Sequence, residues 1–228
     1  MSTAPLLLAL LAAQDLQRPV TRVPATPQWP EDSGEVSGAM KLHADPRWTF
    51  SLRSLPGVDV ERARLDLALA YQVTPRFSVG IDWAPEANDV GVNARWLAVP
   101  ETDTRPGLVV GTGPDRLGTP SGRAVYALLS KDLEDATGLA IAPFVGLAYG
   151  DHDEEVDVVG GVVIRWNELE YSTHLWDGHG LQNVYEFEVG DTGAIGALLA
   201  DVDGAYEFGL TFRMDLAMPW ERSPAQAP

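Results

Sequence analysis

VERARLDLALAYQVTPRFSVGIDWAPEANDVGVNARWLAVP, running from Val60 to Pro100, repeats one pattern three times. Every second residue is apolar: Leu65, Leu67, Leu69 and Tyr71, then Phe77, Val79, Ile81 and Trp83, then Val90, Val92, Ala94 and Trp96. Between them stand small or charged residues: Arg64, Asp66, Ala68 and Ala70, then Ser78, Gly80 and Asp82, then Gly91, Asn93 and Arg95. Side chains alternate across a strand with period two, so the stretch predicts three antiparallel strands with one apolar and one polar or small face. Such a face is either covered by a second layer or turned to lipid around a closed barrel.

The same alternation continues in both directions. Arg47 to Ser54 reads as a first strand, and further strands follow over 107–112, 123–131, 139–149, 156–166, 169–176, 183–189, 194–200 and 205–216. The last is the cleanest, with Tyr206, Phe208, Leu210, Phe212, Met214 and Leu216 on one face and Glu207, Gly209, Thr211, Arg213 and Asp215 on the other. No segment holds a helical period. Pro143 removes one ladder donor and predicts a bulge or a weakly paired position in its strand. The fold class expected is all-β, an antiparallel meander of about twelve strands closed into a transmembrane barrel, with ten strands if the first or fifth fails. Clear strands have the length needed for a tilted crossing, about nine to eleven residues. Aromatic residues near their ends fit interface girdles, and closure removes exposed edges. A secreted soluble β-sandwich, polar face outward, is the architectural alternative.

Composition narrows the function. The 228 residues carry a net charge of −17, with two lysines, Lys41 and Lys131, against fourteen arginines. So acidic a chain repels nucleic acid. The absence of cysteine excludes disulfides, thiolate metal sites and a thiol nucleophile. Residues 1–13 end in LLLALLAA and read as a signal peptide, although MSTAP lacks a basic residue. Residues 14–40 form a Pro-rich polar linker, 41–216 the barrel and 217–228 a polar tail. The location expected is the outer membrane of a Gram-negative-type bacterium, with the lipid bilayer and the assembly machinery as partners. The alternative location is periplasmic or secreted.

Asn93–Lys131, NARWLAVPETDTRPGLVVGTGPDRLGTPSGRAVYALLSK, and Leu169–Val189, LEYSTHLWDGHGLQNVYEFEV, resemble poorly characterised barrels related to the exopolysaccharide-associated outer-membrane protein family. The resemblance spans about residues 60–216 and implies an outer-membrane barrel, with a link to polysaccharide export, more than any activity. Members of the larger family are longer, and this chain ends in a polar tail where barrels usually end on an aromatic residue.

The residues expected to face the lumen are Arg64, Asp66, Asp82, Asn93, Arg95, Arg165, Glu170, His174, Glu186, Glu188, Glu207, Arg213 and Asp215. Those expected to face lipid are Leu65, Leu67, Leu69, Phe77, Val79, Ile81, Tyr206, Phe208, Leu210 and Phe212. Mixed charges at this density either line a narrow cation-favouring channel or pair and close it. Connections look short, leaving no long loop to plug the lumen. The function expected is therefore a non-enzymatic outer-membrane barrel, a narrow channel or structural envelope component whose solute or polysaccharide the sequence does not name. A secreted binding module is the alternative.

Glu170, Ser172 and His174 share one face of the ninth strand, which the alternation assigns to the lumen. A serine and a histidine on a barrel wall resemble lipid-A deacylases and outer-membrane phospholipases, in which histidine activates serine for acyl transfer. Same-face neighbours on a strand lie about 7 Å apart, far for a direct hydrogen bond. Those enzymes also present their site to lipid, whereas this triplet is expected to point inward. A lipid-modifying hydrolase is accordingly the weakest of the three readings, and no catalytic residue is expected. The acidic run Asp151, His152, Asp153, Glu154 and Glu155 offers hard oxygen ligands but lacks the spacing of a helix–loop–helix Ca²⁺ loop, so a solvated loop is preferred. No metal and no cofactor is expected.

Overall fold

The computed structural model describes residues 48–216, apart from positions 75, 103, 168 and 191. The expected signal peptide, linker and tail lie outside the described residues. Twelve antiparallel strands form a closed barrel in strict sequence order: β1 (Trp48–Ser54), β2 (Leu65–Thr74), β3 (Phe77–Ala84), β4 (Asp89–Val99), β5 (Gly107–Pro114), β6 (Arg123–Ser130), β7 (Ile141–Gly150), β8 (Glu155–Arg165), β9 (Glu170–Trp176), β10 (Leu181–Val189), β11 (Gly193–Val202) and β12 (Ala205–Leu216). Closure comes from β1 pairing with both β2 and β12, so every strand has two neighbours and no ladder edge is left open. On the outside of this seam Phe50 and Phe212 bring their ring centroids to 6.4 Å, and Trp48 and Tyr71 to 4.8 Å.

Tight turns set the register. Asp203 and Gly204 join β11 to β12 as a two-residue loop with φ of 53° and 83°, and the Asp201 carboxylate accepts the Gly204 N–H at 3.0 Å. That geometry matches strand twist and favours Asp-Gly. Pro143 sits in unbroken register with Val162 and one residue beyond the last β6 pair, Ser130 with Phe144, so its missing N–H costs no bulge. The register shifts fall instead between Gln72 and Thr74 and between Leu97 and Val99. Two single-turn helices interrupt the meander, α1 (Glu61–Arg64) and α2 (Glu134–Thr137), each too short to show a period in sequence.

The outer surface is apolar around the circumference. Ile81, Val92, Trp96, Val125, Val145, Val158, Ile195 and Phe208 are each more than half exposed. The ten residues expected on the apolar face, Leu65 to Ile81 on β2 and β3 and Tyr206 to Phe212 on β12, all lie on this exterior.

The interior is filled. Leu128, Val159, Leu175 and Leu198 are fully buried inside the β6 to β11 side, with Phe144, Val163 and Val184 packed among them. Polar groups are buried among them as well. Arg53 and Asp66 form a buried ion pair at 3.0 Å, and Arg123 reaches across Gly91, where a Cβ would collide with its guanidinium, to meet Asp82 at 2.6 Å. The end of the barrel opposite Trp48 and Leu216 is closed by its own connections. Arg62 of α1 is buried and donates to the carbonyl oxygens of Thr119 at 2.9 Å, Asp115 at 3.0 Å, Arg116 at 3.0 Å and Gly122 at 3.1 Å, as well as to the Thr119 hydroxyl. Burial lowers the pKa of its guanidinium, and the charge of Arg53 adds to the effect. The β5–β6 loop thus folds into the barrel mouth, with Leu117 buried. Short connections were expected to leave the lumen unplugged; eight residues suffice because Arg62 gathers four of the loop's carbonyls at once.

Candidate active site

Of the residues expected inside, Asp66, Asp82, Asn93, Arg95, Glu186, Glu188, Glu207, Arg213 and Asp215 do lie on the interior face, in register with buried interior partners or with one another. Arg165 closes the inner face of β8, paired with Glu134 of α2. Arg64 is a correction: it belongs to α1 rather than to the wall of β2, donating to the Val58 carbonyl at 2.8 Å and pairing with Glu86 at 3.4 Å in the β3–β4 turn.

Glu170 and His174 are a second correction, together with Ser172. On β9 the inward residues are Tyr171, Thr173 and Leu175; Thr173 and Leu175 have 0% exposure and pair with the interior residues Val163 and Gly161 of β8 and Val184 and Gln182 of β10. Glu170, Ser172 and His174 therefore project from the exterior wall, beside Ile164 and Val162 on one flank and Phe187, Tyr185 and Asn183 on the other. The polar-in rule inverts here because Leu175 packs into the hydrophobic cluster with Val163 and Val184, which leaves the serine and histidine outside.

On that exterior face three side chains are linked in line. Ser172 Oγ lies 3.3 Å from His174 Nε2, and His174 Nδ1 lies 2.7 Å from Asn183 Oδ1. An amide oxygen only accepts, so Nδ1 carries the proton and Nε2 presents its lone pair to the serine hydroxyl. The rotamers close the same-face gap that the sequence suggested was too wide. A fourth group completes the chain: Trp166 Nε1 donates to Ser172 Oγ at 3.0 Å. Tyr185 stands directly across the ladder from Ser172, and Phe187 across from Glu170.

Local structure holds these groups in place. The β9–β10 turn is pinned by buried Asp177, whose Oδ1 accepts the N–H groups of His179 at 3.0 Å and Gly180 at 2.8 Å while Oδ2 accepts from Gln182 at 2.7 Å. That turn fixes the register in which His174 faces Asn183. The β8–β9 turn is closed by the Trp166 N–H donating to the Glu170 carbonyl at 2.9 Å and by Asn167 Nδ2 donating to the Glu170 carboxylate at 2.8 Å.

Depth along the wall follows from the stagger of the ladder. The paired row through Ser172 starts at Ile141, first residue of β7, passes Ile164, Ser172, Tyr185, Ala197, Leu210 and Ser54, and ends at Leu65, first residue of β2. Ser172 stands two strands from the lower end of this row, in the half of the wall nearer Trp48 and Leu216.

At the opposite rim Glu155, Asp157 and His179 bring one ligand atom each to within 4.8 Å of one another, the one such trio among the described residues. The rest of the acidic loop is engaged elsewhere: Asp151 accepts the Arg123 N–H at 2.6 Å, and the Arg116 guanidinium hydrogen-bonds Asp153, holding its carboxyl below the ordinary range.

No protein-family model matches this chain, and no curated protein matches it.

Proposed function

We propose that this chain is an outer-membrane barrel hydrolase that cleaves lipid acyl esters with Ser172 as nucleophile, His174 as general base and Asn183 as the group orienting the imidazole. The observation that carries the reading is the linked Ser172–His174–Asn183 row on the exterior wall. Polar side chains turned to hydrocarbon are costly and persist where they act. The apolar circumference supports a bilayer as the surrounding medium, since a monomer in water does not keep so continuous an apolar exterior.

In this mechanism His174 Nε2 takes the proton of the Ser172 hydroxyl as Oγ attacks the ester carbonyl carbon. Asn183 Oδ1 accepts the Nδ1–H throughout, keeping the tautomer that leaves Nε2 basic. His174 then gives the proton to the departing alcohol oxygen, and water, activated by the same imidazole, releases the fatty acid. Val162 and Ile164 flank the nucleophile and offer an apolar bed for an acyl chain.

The test is fatty-acid release from diacyl phosphatidylethanolamine in detergent micelles. Wild type releases it; Ser172→Ala and His174→Ala do not, while all three keep heat-modifiable migration in SDS. Equal release by Ser172→Ala ends the reading. A structural, non-conducting envelope barrel is the second reading, favoured by the filled interior.

A further inference from the structure

We infer that the Trp166 indole N–H is the oxyanion donor of this site, an assignment that rests on the hydrolase reading. When a serine attacks an ester, the carbonyl π pair moves onto oxygen, and the negative charge needs a donor near the nucleophile. Backbone N–H groups usually supply it. On a barrel wall they are committed: Ser172 pairs with Ile164 on one side and Tyr185 on the other, both within continuous ladders. The donor has to be a side chain.

Trp166 meets the geometric requirement. Its Nε1 already lies 3.0 Å from Ser172 Oγ, on the atom that will bond to the carbonyl carbon. The new oxyanion sits two bonds from Oγ, on the far side of that carbon, so a small swing of the ring carries the N–H from Oγ to it. The backbone of Trp166 is fixed by its bond to the Glu170 carbonyl, while the ring is 58% exposed and Ser172 beneath it 4% exposed. A ring free on its outer side can make that swing and admit the substrate.

The step balances. The Oγ–C bond forms, the Oγ–H proton passes to His174 Nε2, and Trp166 N–H transfers its hydrogen bond from Oγ to the oxyanion. On collapse the carbonyl re-forms, the C–O bond to the leaving alcohol breaks, and His174 returns the proton to that alcohol.

Trp166→Phe keeps the ring and removes the donor. With phosphatidylethanolamine in detergent micelles, kcat falls by about 10²-fold while KM changes little. Covalent labelling by a fluorophosphonate, whose phosphonyl oxygen gains charge in the same place, slows in parallel. Trp166→His, which retains a ring N–H, loses less than Trp166→Phe. Each variant is compared after confirming wild-type heat-modifiable migration. If Ser172→Ala is inactive but Trp166→Phe retains wild-type kcat, or exceeds it as removal of a mere cover would, the assignment is overturned. Equal loss in the Phe and His variants overturns it as well. If Ser172→Ala remains active, the hydrolase reading itself falls and the donor with it.

Discussion

His174 and Asn183 are direct partners across the β9–β10 ladder, and their side chains meet at 2.7 Å on the outer face of the barrel. Nine positions apart in sequence, they are made neighbours by a four-residue connection and the Asp177 bonds that pin it. Under the proposed function an uncharged amide fits this place: it would orient an imidazole without placing a second charge against lipid. Asn183→Ala is expected to lower kcat by about 10- to 10²-fold, part of what general-base catalysis contributes. Asn183→Asp keeps the acceptor and is expected to retain more activity than Asn183→Ala. Rates of phosphatidylethanolamine hydrolysis by the two purified variants decide it.

The wall itself can be tested with charge. Leu67 and Phe208 face outward, and Arg at either is expected to cost about 2–4 kcal/mol near a bilayer midplane. Glu207→Gln, next to Phe208 on the interior face, should assemble as wild type. The yield of heat-modifiable protein in the membrane fraction reads this out, and equal tolerance of Phe208→Arg and Glu207→Gln would contradict a lipid-facing exterior.

Where one face is uniformly apolar, as in Leu65 to Tyr71 or Tyr206 to Leu216, the alternation was enough to count strands and assign sides. It failed on β9, where Tyr171, Thr173 and Leu175 alternate with Glu170, Ser172 and His174 and the polar set looks like the lumen set. The side is decided there by what fills the lumen, Val163 and Val184, which lie on other strands. Asn183 and Trp166 were invisible for a related reason: their roles depend on register and on the reach of a side chain from a turn. The barrel cap was hidden too, because nothing in the spacing around Arg62 announces the single turn of helix that carries it over the β5–β6 loop.

Inside the wall, the Arg53–Asp66 pair at 3.0 Å is almost wholly buried. Removing Asp66 withdraws a buried counter-charge from Arg53, so Asp66→Ala is expected to destabilise by about 3–5 kcal/mol. Arg53→Met combined with Asp66→Leu should recover much of that loss, because an apolar pair of similar volume removes both buried charges together. Urea unfolding in detergent, followed by loss of heat-modifiability, compares the two; a double variant no better than the single would show that the pair contributes more than charge compensation.

Arg62 closes the far end with one side chain, and its loss should be felt locally. Its guanidinium is the shared partner of the carbonyls of Asp115, Arg116, Thr119 and Gly122. With Arg62→Ala those four acceptors return to water, the loop loses its anchor in the mouth, and the strands below remain paired on both sides. The expected result is rapid tryptic cleavage after Arg116 in the variant and slow cleavage in wild type, at nearly unchanged heat-modifiable migration. Arg62→Lys, a point charge that cannot span four carbonyls, should fall between them. Equal cleavage rates in all three would mean that the loop is held by its own Asp115 bonds to the Arg116 and His152 N–H groups rather than by Arg62.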